Sequence, residues 1–83
     1  MGSQKEIIKL RKKLDLLDNK LSSILTKRIG VANKIATIKK QNNIEKKDLG
    51  REKEIITRLQ SKTEQSDLIK KIYKIIFNYT RGK

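Results

Sequence analysis

The sequence has 83 residues, enough for one domain, and a domain of this size buries a smaller share of its surface than a larger one. It contains no Cys and no His, which excludes disulfides, thiolate or imidazole metal sites and catalysis by a Ser-His or Cys-His pair. The formal net charge of +13 favours an anionic partner, such as nucleic acid, an anionic membrane or a small polyanion. No apolar run approaches the ~20 residues of a membrane span and no signal peptide is recognisable, so we expect a cytoplasmic protein.

The first predicted element is a long helix over residues 6–40. Its apolar residues recur at alternating steps of three and four, which is typical of a heptad seam. The seam consists of Ile7, Leu10, Leu14, Leu17, Leu21, Ile24, Val31, Ile35 and Ile38. A helix of ~35 residues would be ~50 Å long, which is too long for a compact domain of this size. We therefore expect it to extend beyond the other helices of its chain or to pair with a second chain.

Two shorter helices follow a predicted loop over residues 41–47. Asp48 can cap the N-terminus of a helix over about 49–61. After a polar turn, Ser66 or Asp67 can cap a third helix that carries the last apolar stripe of the chain. The sequence therefore predicts an all-α fold with one long helix and two short ones.

The domain prediction is a single helical domain over residues 1–83. Residues 1–4 are expected to be disordered or a remnant of cloning, because they carry no part of the apolar pattern.

Catalysis without His or Cys must use Lys, Arg, carboxylates, hydroxyls and amides, which favours electrostatic stabilisation and positioning. Arg28 occupies a seam position, where an unpaired charge would be costly, so it is either ion-paired, snorkelling or an anion ligand. Lys39 lies at nearly the same angular position ~16 Å further along the axis, so the two could hold one small molecule. Arg11 precedes Arg28 by ~25 Å and could join that site only from an antiparallel partner helix.

A second cluster of charged residues begins the second helix. Asp48, Arg51 and Glu52 share one face because they are three and four residues apart. Capping by Asp48 and a favourable first-turn charge on Glu52 would explain two of them. Arg51 does not fit that explanation, since a cation in a first turn opposes the helix dipole.

Six charged residues thus appear in order and at compatible spacing: Arg11, Arg28, Lys39, Asp48, Arg51 and Glu52. This set resembles the active-site residues of the all-α chorismate mutases. The resemblance covers roughly residues 5 to 60 and includes the run Asp48-Leu49-Gly50-Arg51-Glu52. The third helix matches more loosely, with Thr80 where the family has Ser or Thr.

The resemblance implies an intertwined, antiparallel homodimer of six helices, which converts chorismate to prephenate by a Claisen rearrangement in aromatic amino-acid biosynthesis, the shikimate pathway. It implies no cofactor and no metal. Arg28 and the partner subunit's Arg11 would bind the substrate carboxylates, because Arg suits this forked geometry. Lys39 would donate to a carboxylate and to the ether oxygen, which gains negative charge as its C–O bond breaks.

The remaining roles concern the other end of the substrate. Glu52 and the Asp48 region would take the ring hydroxyl, Arg51 would hold residues of the second helix, and Thr80 would add a hydroxyl contact. Arg28, Lys39 and Glu52 are the residues expected to be catalytic. The family also has a Gln or Glu one turn after the Ser or Thr, and this sequence stops before that position, so we expect slow turnover or a truncated chain.

Two alternatives remain open at this point. An isochorismate-pyruvate lyase would use a similar basic pocket on the same scaffold. A basic helical dimer without catalysis could instead bind nucleic acid or regulate another protein, although only three aromatic residues are available for stacking.

Overall fold

The structure, a computed structural model, describes residues 2–81, and these form three α-helices and no strand. Helix α1 spans Gly2–Gln41, α2 spans Leu49–Gln60 and α3 spans Ser66–Thr80. The predicted all-α fold, with one long helix and two short ones, is confirmed. The described residues divide into two compact units at Val31 and Ala32, a boundary inside α1, so the single domain over 1–83 stays a prediction.

Helix α1 begins at Gly2, four residues before its predicted start. It therefore includes residues 2–4, which were expected to be disordered or a remnant of cloning. Each residue added to an existing helix gains one more hydrogen bond, which favours such an extension. None of residues 2–41 is buried. The apolar seam of α1 is between 46% exposed at Ile7 and 65% exposed at Leu21, so this helix leaves its apolar face uncovered.

The end of α1 is a Schellman motif. Asn43 has a positive φ of 54°, a conformation that Asn tolerates better than most residues. The Ile44 amide donates to the Lys39 carbonyl at 2.8 Å, and the Asn43 amide donates to the Lys40 carbonyl at 3.4 Å. The Asn42 side chain donates to the Ile38 carbonyl at 2.8 Å. These bonds satisfy the last carbonyls of α1 and turn the chain into the loop before α2.

Helices α2 and α3 pack against each other and supply the buried core of the described residues. That core consists of Ile55 on α2, which is 8% exposed, and Phe77 on α3, which is 5% exposed. The Tyr73 ring lies 5.6 Å from the Phe77 ring, centroid to centroid, at an angle of 60°. Such tilted aromatic pairs are stabilising beyond the area they bury.

The predicted cap of α2 is confirmed and that of α3 is wrong. Asp48 Oδ1 accepts a hydrogen bond from the Arg51 amide at 3.0 Å. Ser66 and Asp67 lie inside α3, whose cap residue is Gln65 and makes no side-chain capping bond. The preceding turn is held differently, because Thr63 Oγ1 accepts from the Gln65 amide at 3.1 Å.

Candidate active site

The predicted site residues lie on all three helices. Arg11 and Arg28 belong to the first of the two compact units, in the part of α1 before Ala32. The second unit holds the others: Lys39 near the end of α1, Asp48 before α2, Arg51 and Glu52 in its first turn, and Thr80 as the last residue of α3.

Arg28 and Lys39 differ from the other cations of α1. Among the Lys and Arg residues in the range 2–41, these two are partly buried and the others are exposed. Arg11 is exposed and borders a shallow groove of about 340 Å³ with Gln4, Ile7 and Ile8. The two residues that the sequence predicts as anion ligands within one chain are thus also the least hydrated cations of the helix.

Lys39 is tied to the loop that leads into α2. Its ammonium Nζ donates to the Lys46 carbonyl at 3.3 Å, while its own carbonyl accepts the Ile44 amide. The Schellman motif therefore directs the Lys39 side chain back towards the residues just before Asp48. A single bond of this length leaves the other two ammonium donors for a ligand.

Asp48 and Arg51 make local contacts. One carboxylate oxygen of Asp48 caps α2 through the Arg51 amide, which confirms the capping interpretation. Arg51 Nη1 lies 2.7 Å from Glu54 Oε1, and the two side chains are 53% and 66% exposed. Glu54 thus neutralises the charge of Arg51 in the first turn of α2. An ion pair this exposed contributes little to stability.

Glu52 is paired across the two packed helices with Arg81, a residue that the sequence interpretation did not single out. Arg81 Nε donates to Glu52 Oε2 at 2.8 Å, and Arg81 Nη2 donates to Glu52 Oε1. The Glu52 side chain is 17% exposed and that of Arg81 is 29% exposed. The hydrogen bond to Glu52 raises the pKa of Arg81 above its ordinary value, so the guanidinium stays charged.

The ion pair of Glu52 and Arg81 could be predicted from the sequence once the two core residues are known. Glu52 lies one turn before the buried Ile55, and Arg81 lies one turn after the buried Phe77. Two consecutive helices joined by a short turn run antiparallel, so these two positions face each other. The heptad pattern gives no such information, because it does not fix the register of α2 against α3.

Thr80 lies beside this pair and is partly buried. Its hydroxyl donates to the Ile76 carbonyl at 2.9 Å, within its own helix. The oxygen can still accept a hydrogen bond, but donation to a ligand would require the hydroxyl to leave the helix carbonyl.

The pair of Glu52 and Arg81 borders a groove of about 530 Å³ between α2 and α3. Leu49, Ile56 and Phe77 contribute apolar surface to the groove, and Lys53, Lys70 and Lys74 contribute further cations. Within residues 2–81, no group of three or more acidic residues is arranged to hold a metal ion. None of the helices described combines the length and the apolar character needed to cross a membrane.

The partly buried cations Arg28 and Lys39 could each bind an anionic group, and the Glu52 carboxylate could accept a hydrogen bond. The family model described as chorismate mutase type II matches residues 10–83. No curated protein and no solved structure matches the chain. Because the family model covers most of the sequence, the chain belongs to the chorismate mutase type II family.

The function predicted from the sequence is thereby confirmed: the chain is a chorismate mutase, an isomerase of aromatic amino-acid biosynthesis that acts on chorismate. The lyase alternative has no better support from this family.

Proposed function

We propose that the chain rearranges chorismate to prephenate as an intertwined, antiparallel homodimer, in which each site combines residues of both subunits. Arg28 and Lys39 of one subunit and the partner subunit's Arg11 would bind the carboxylates and the ether oxygen. Glu52, with Asp48 and Arg51 beside it, would bind the ring hydroxyl, and Thr80 would add a contact. The observation that carries this proposal is the partial burial of Arg28 and Lys39 among the otherwise exposed cations of α1.

The dimer is supported by the surface of α1. Its apolar seam is mostly more than half exposed, and the described residues of one chain bury only Ile55 and Phe77 as a core. Full burial of a Leu or Ile side chain contributes about 1.5–3 kcal/mol, so covering this seam with a second copy would add substantially to a thin core. A small domain without disulfides commonly gains stability in this way.

The contribution of Arg11 from the partner subunit follows from distance. Arg11 and Arg28 lie on the same helix, seventeen residues apart in the sequence, which corresponds to ~25 Å along the axis. This exceeds the reach of the two side chains towards one small substrate. An antiparallel second copy of α1 would bring its own Arg11 towards Arg28.

The rearrangement is an intramolecular, pericyclic step, in which the ether C–O bond breaks while a C–C bond forms. It needs neither a proton transfer nor a nucleophile, which agrees with a sequence without His and Cys. Arg28 and the partner subunit's Arg11 would hold the two carboxylates so that the substrate keeps its compact, reactive conformer. The Lys39 ammonium would exchange the Lys46 carbonyl for the ether oxygen and bind it more strongly as negative charge develops there.

The proposal is tested by incubating the chain with chorismate, following its loss spectrophotometrically and identifying the product. We expect prephenate, at a specific activity that falls when the protein is diluted below its dimer dissociation constant. Pyruvate released from isochorismate, without prephenate from chorismate, would show a lyase instead. A monomer in sedimentation experiments with undiminished specific activity would contradict the shared site. The cytoplasmic location stays a prediction.

A further inference from the structure

Arg81 has no role in the proposed site, yet it forms an ion pair with Glu52, one of the residues of that site. It follows the last residue of α3, and its amide still donates to the Phe77 carbonyl at 2.9 Å, so its backbone continues the helix. Of the two ion pairs within residues 2–81, this one links different helices, whereas Arg51 and Glu54 lie one turn apart on α2.

The geometry of the pair fixes the Glu52 carboxylate in orientation. Nε and Nη2 of Arg81 engage different carboxylate oxygens, so the carboxylate cannot rotate without breaking one of the two bonds. The pair is less hydrated than the exposed pair of Arg51 and Glu54, so solvent and salt weaken it less. A Lys at position 81 would present a single point charge, and the Glu52 carboxylate could then rotate.

Glu52 retains acceptor capacity in this arrangement. An ionised carboxylate has about four lone-pair positions, and Arg81 occupies one on each oxygen. The remaining positions can accept a hydrogen bond from a hydroxyl.

We propose that Arg81 is a positioning residue for substrate recognition, which holds the Glu52 carboxylate in the orientation that accepts the hydrogen bond of the substrate's ring hydroxyl. The inference rests on the proposed role of Glu52. Arg81 acts on the substrate through Glu52, so its loss should affect discrimination between substrates that carry the hydroxyl and those that do not.

The experiment compares kcat/KM for chorismate with kcat/KM for an analogue that lacks the ring hydroxyl. The ratio of these two values is measured for the parent chain, Arg81→Ala and Glu52→Gln. Lys74→Ala is the matched control, because it removes a cation of α3 that borders the same groove. Arg81→Ala should lower the ratio on the order of tenfold, as expected for one hydrogen bond to a charged group. It should do so by raising KM for chorismate, while Lys74→Ala leaves the ratio unchanged.

Additional variants separate positioning from simple stabilisation. In the Glu52→Gln background, Arg81→Ala should cause no further loss of the ratio. The exchanged pair of Glu52→Arg with Arg81→Glu should recover thermal stability but not the preference for the hydroxyl. If Arg81→Ala loses helicity, Arg81→Lys is measured instead, and it should give an intermediate ratio with kcat nearly unchanged.

The outcomes distinguish this inference from the proposed function. A ratio that falls in Glu52→Gln but not in Arg81→Ala or Arg81→Lys would overturn the positioning role and leave the role of Glu52 intact. A ratio that is unchanged in Glu52→Gln would show that Glu52 does not bind the hydroxyl, and both proposals for this end of the site would be wrong.

Discussion

The N-terminal part of α1 and the pair of α2 and α3 differ in whether one chain buries any of their apolar residues. Leu17 and Leu21 on α1 are 59% and 65% exposed, whereas Ile55 and Phe77 are buried between α2 and α3. Both regions carry strong helical patterns, so the difference does not lie in helix propensity. The two regions differ in burial because α2 and α3 find a complementary apolar face within the described part of the same chain, whereas the N-terminal part of α1 does not.

The charged residues of the proposed site also differ between the two regions. Glu52 and Arg81 satisfy each other inside one chain, and Asp48 caps its own helix. Arg11 and Arg28 are too far apart on their helix to bind one small molecule together. Some residues of α2 and α3 are thus satisfied within one chain. Three apolar residues of α3 nevertheless stay more than half exposed, namely Leu68, Ile75 and Tyr79. The site on α1 is proposed to be completed by a partner and a substrate.

The largest expected effect is on catalysis and concerns Arg28 on α1. Arg28→Ala should lower kcat/KM by about 10²–10³ or more, since it would remove the proposed charged contact to the reacting substrate. Lys27→Ala, which removes an exposed neighbouring cation, is the control and should retain activity. Circular dichroism should show equal helicity for both variants.

Mixing extends this test to Arg11. If each site combines Arg28 with the partner subunit's Arg11, hybrids of an Arg11→Ala chain and an Arg28→Ala chain will contain one site with both defects and one site with neither. After complete random exchange of subunits, about a quarter of the parent activity should return, since half of the dimers are hybrids. No recovery after verified exchange would mean that the site is not shared and that the contrast between the two regions is wrong.

A comparable effect is expected at the end of α1, where the helix meets the loop. Lys39→Ala should lower kcat by about 10²–10³, because it would remove the proposed donor to the ether oxygen, which becomes negative in the transition state. Lys40→Ala is matched in charge and position, but its side chain is exposed, and it should leave kcat unchanged. Equal loss in both variants would indicate a general effect of charge, and unchanged kcat in Lys39→Ala would remove this residue from the mechanism.

The next effect concerns stability. Phe77→Ala should lower the free energy of unfolding by about 3 kcal/mol, since it leaves a cavity between α2 and α3. This loss should appear also at protein concentrations where the chain is monomeric. Leu17→Ala should instead weaken the dimer, measured by sedimentation, and leave the helicity of the monomer unchanged. A dimer affinity that does not respond to Leu17→Ala would place the seam outside the interface.

The smallest effect is expected for the exposed ion pair at the start of α2. Glu54→Gln should change the free energy of unfolding by less than about 0.5 kcal/mol, because both partners are more than half exposed and screened by solvent. Chemical denaturation of the variant and the parent at two salt concentrations measures this. A larger loss would show that Glu54 has a structural role that its exposure does not indicate.

Much of the fold could be predicted from the sequence because its signals are local. The steps of three and four define α1, Asn42 and Asn43 mark its end, and Asp48 provides an N-cap. The cap of α3 was missed because Ser66 and Asp67 are equally plausible capping residues, while the turn is held by Thr63.

The site could be predicted only in part, for a different physical reason. Arg28 and Lys39 stand out in the sequence as cations on or near an apolar seam, and they are partly buried. The pairing of Glu52 with Arg81 depends on the register of two packed helices, which no local pattern encodes. The contribution of Arg11 depends on a second chain and stays a prediction.

The short turn between α2 and α3 also affects the order of folding. Contacts close in sequence form quickly, so this pair should fold in a unimolecular phase whose rate does not depend on protein concentration. In the proposed dimer, burial of the α1 seam would require an encounter between two chains, which is a bimolecular phase. Until then each chain would expose a long apolar stripe, and the net charge of +13 would oppose non-specific aggregation of identical chains. The many lysines of this protein would then limit aggregation before the proposed assembly.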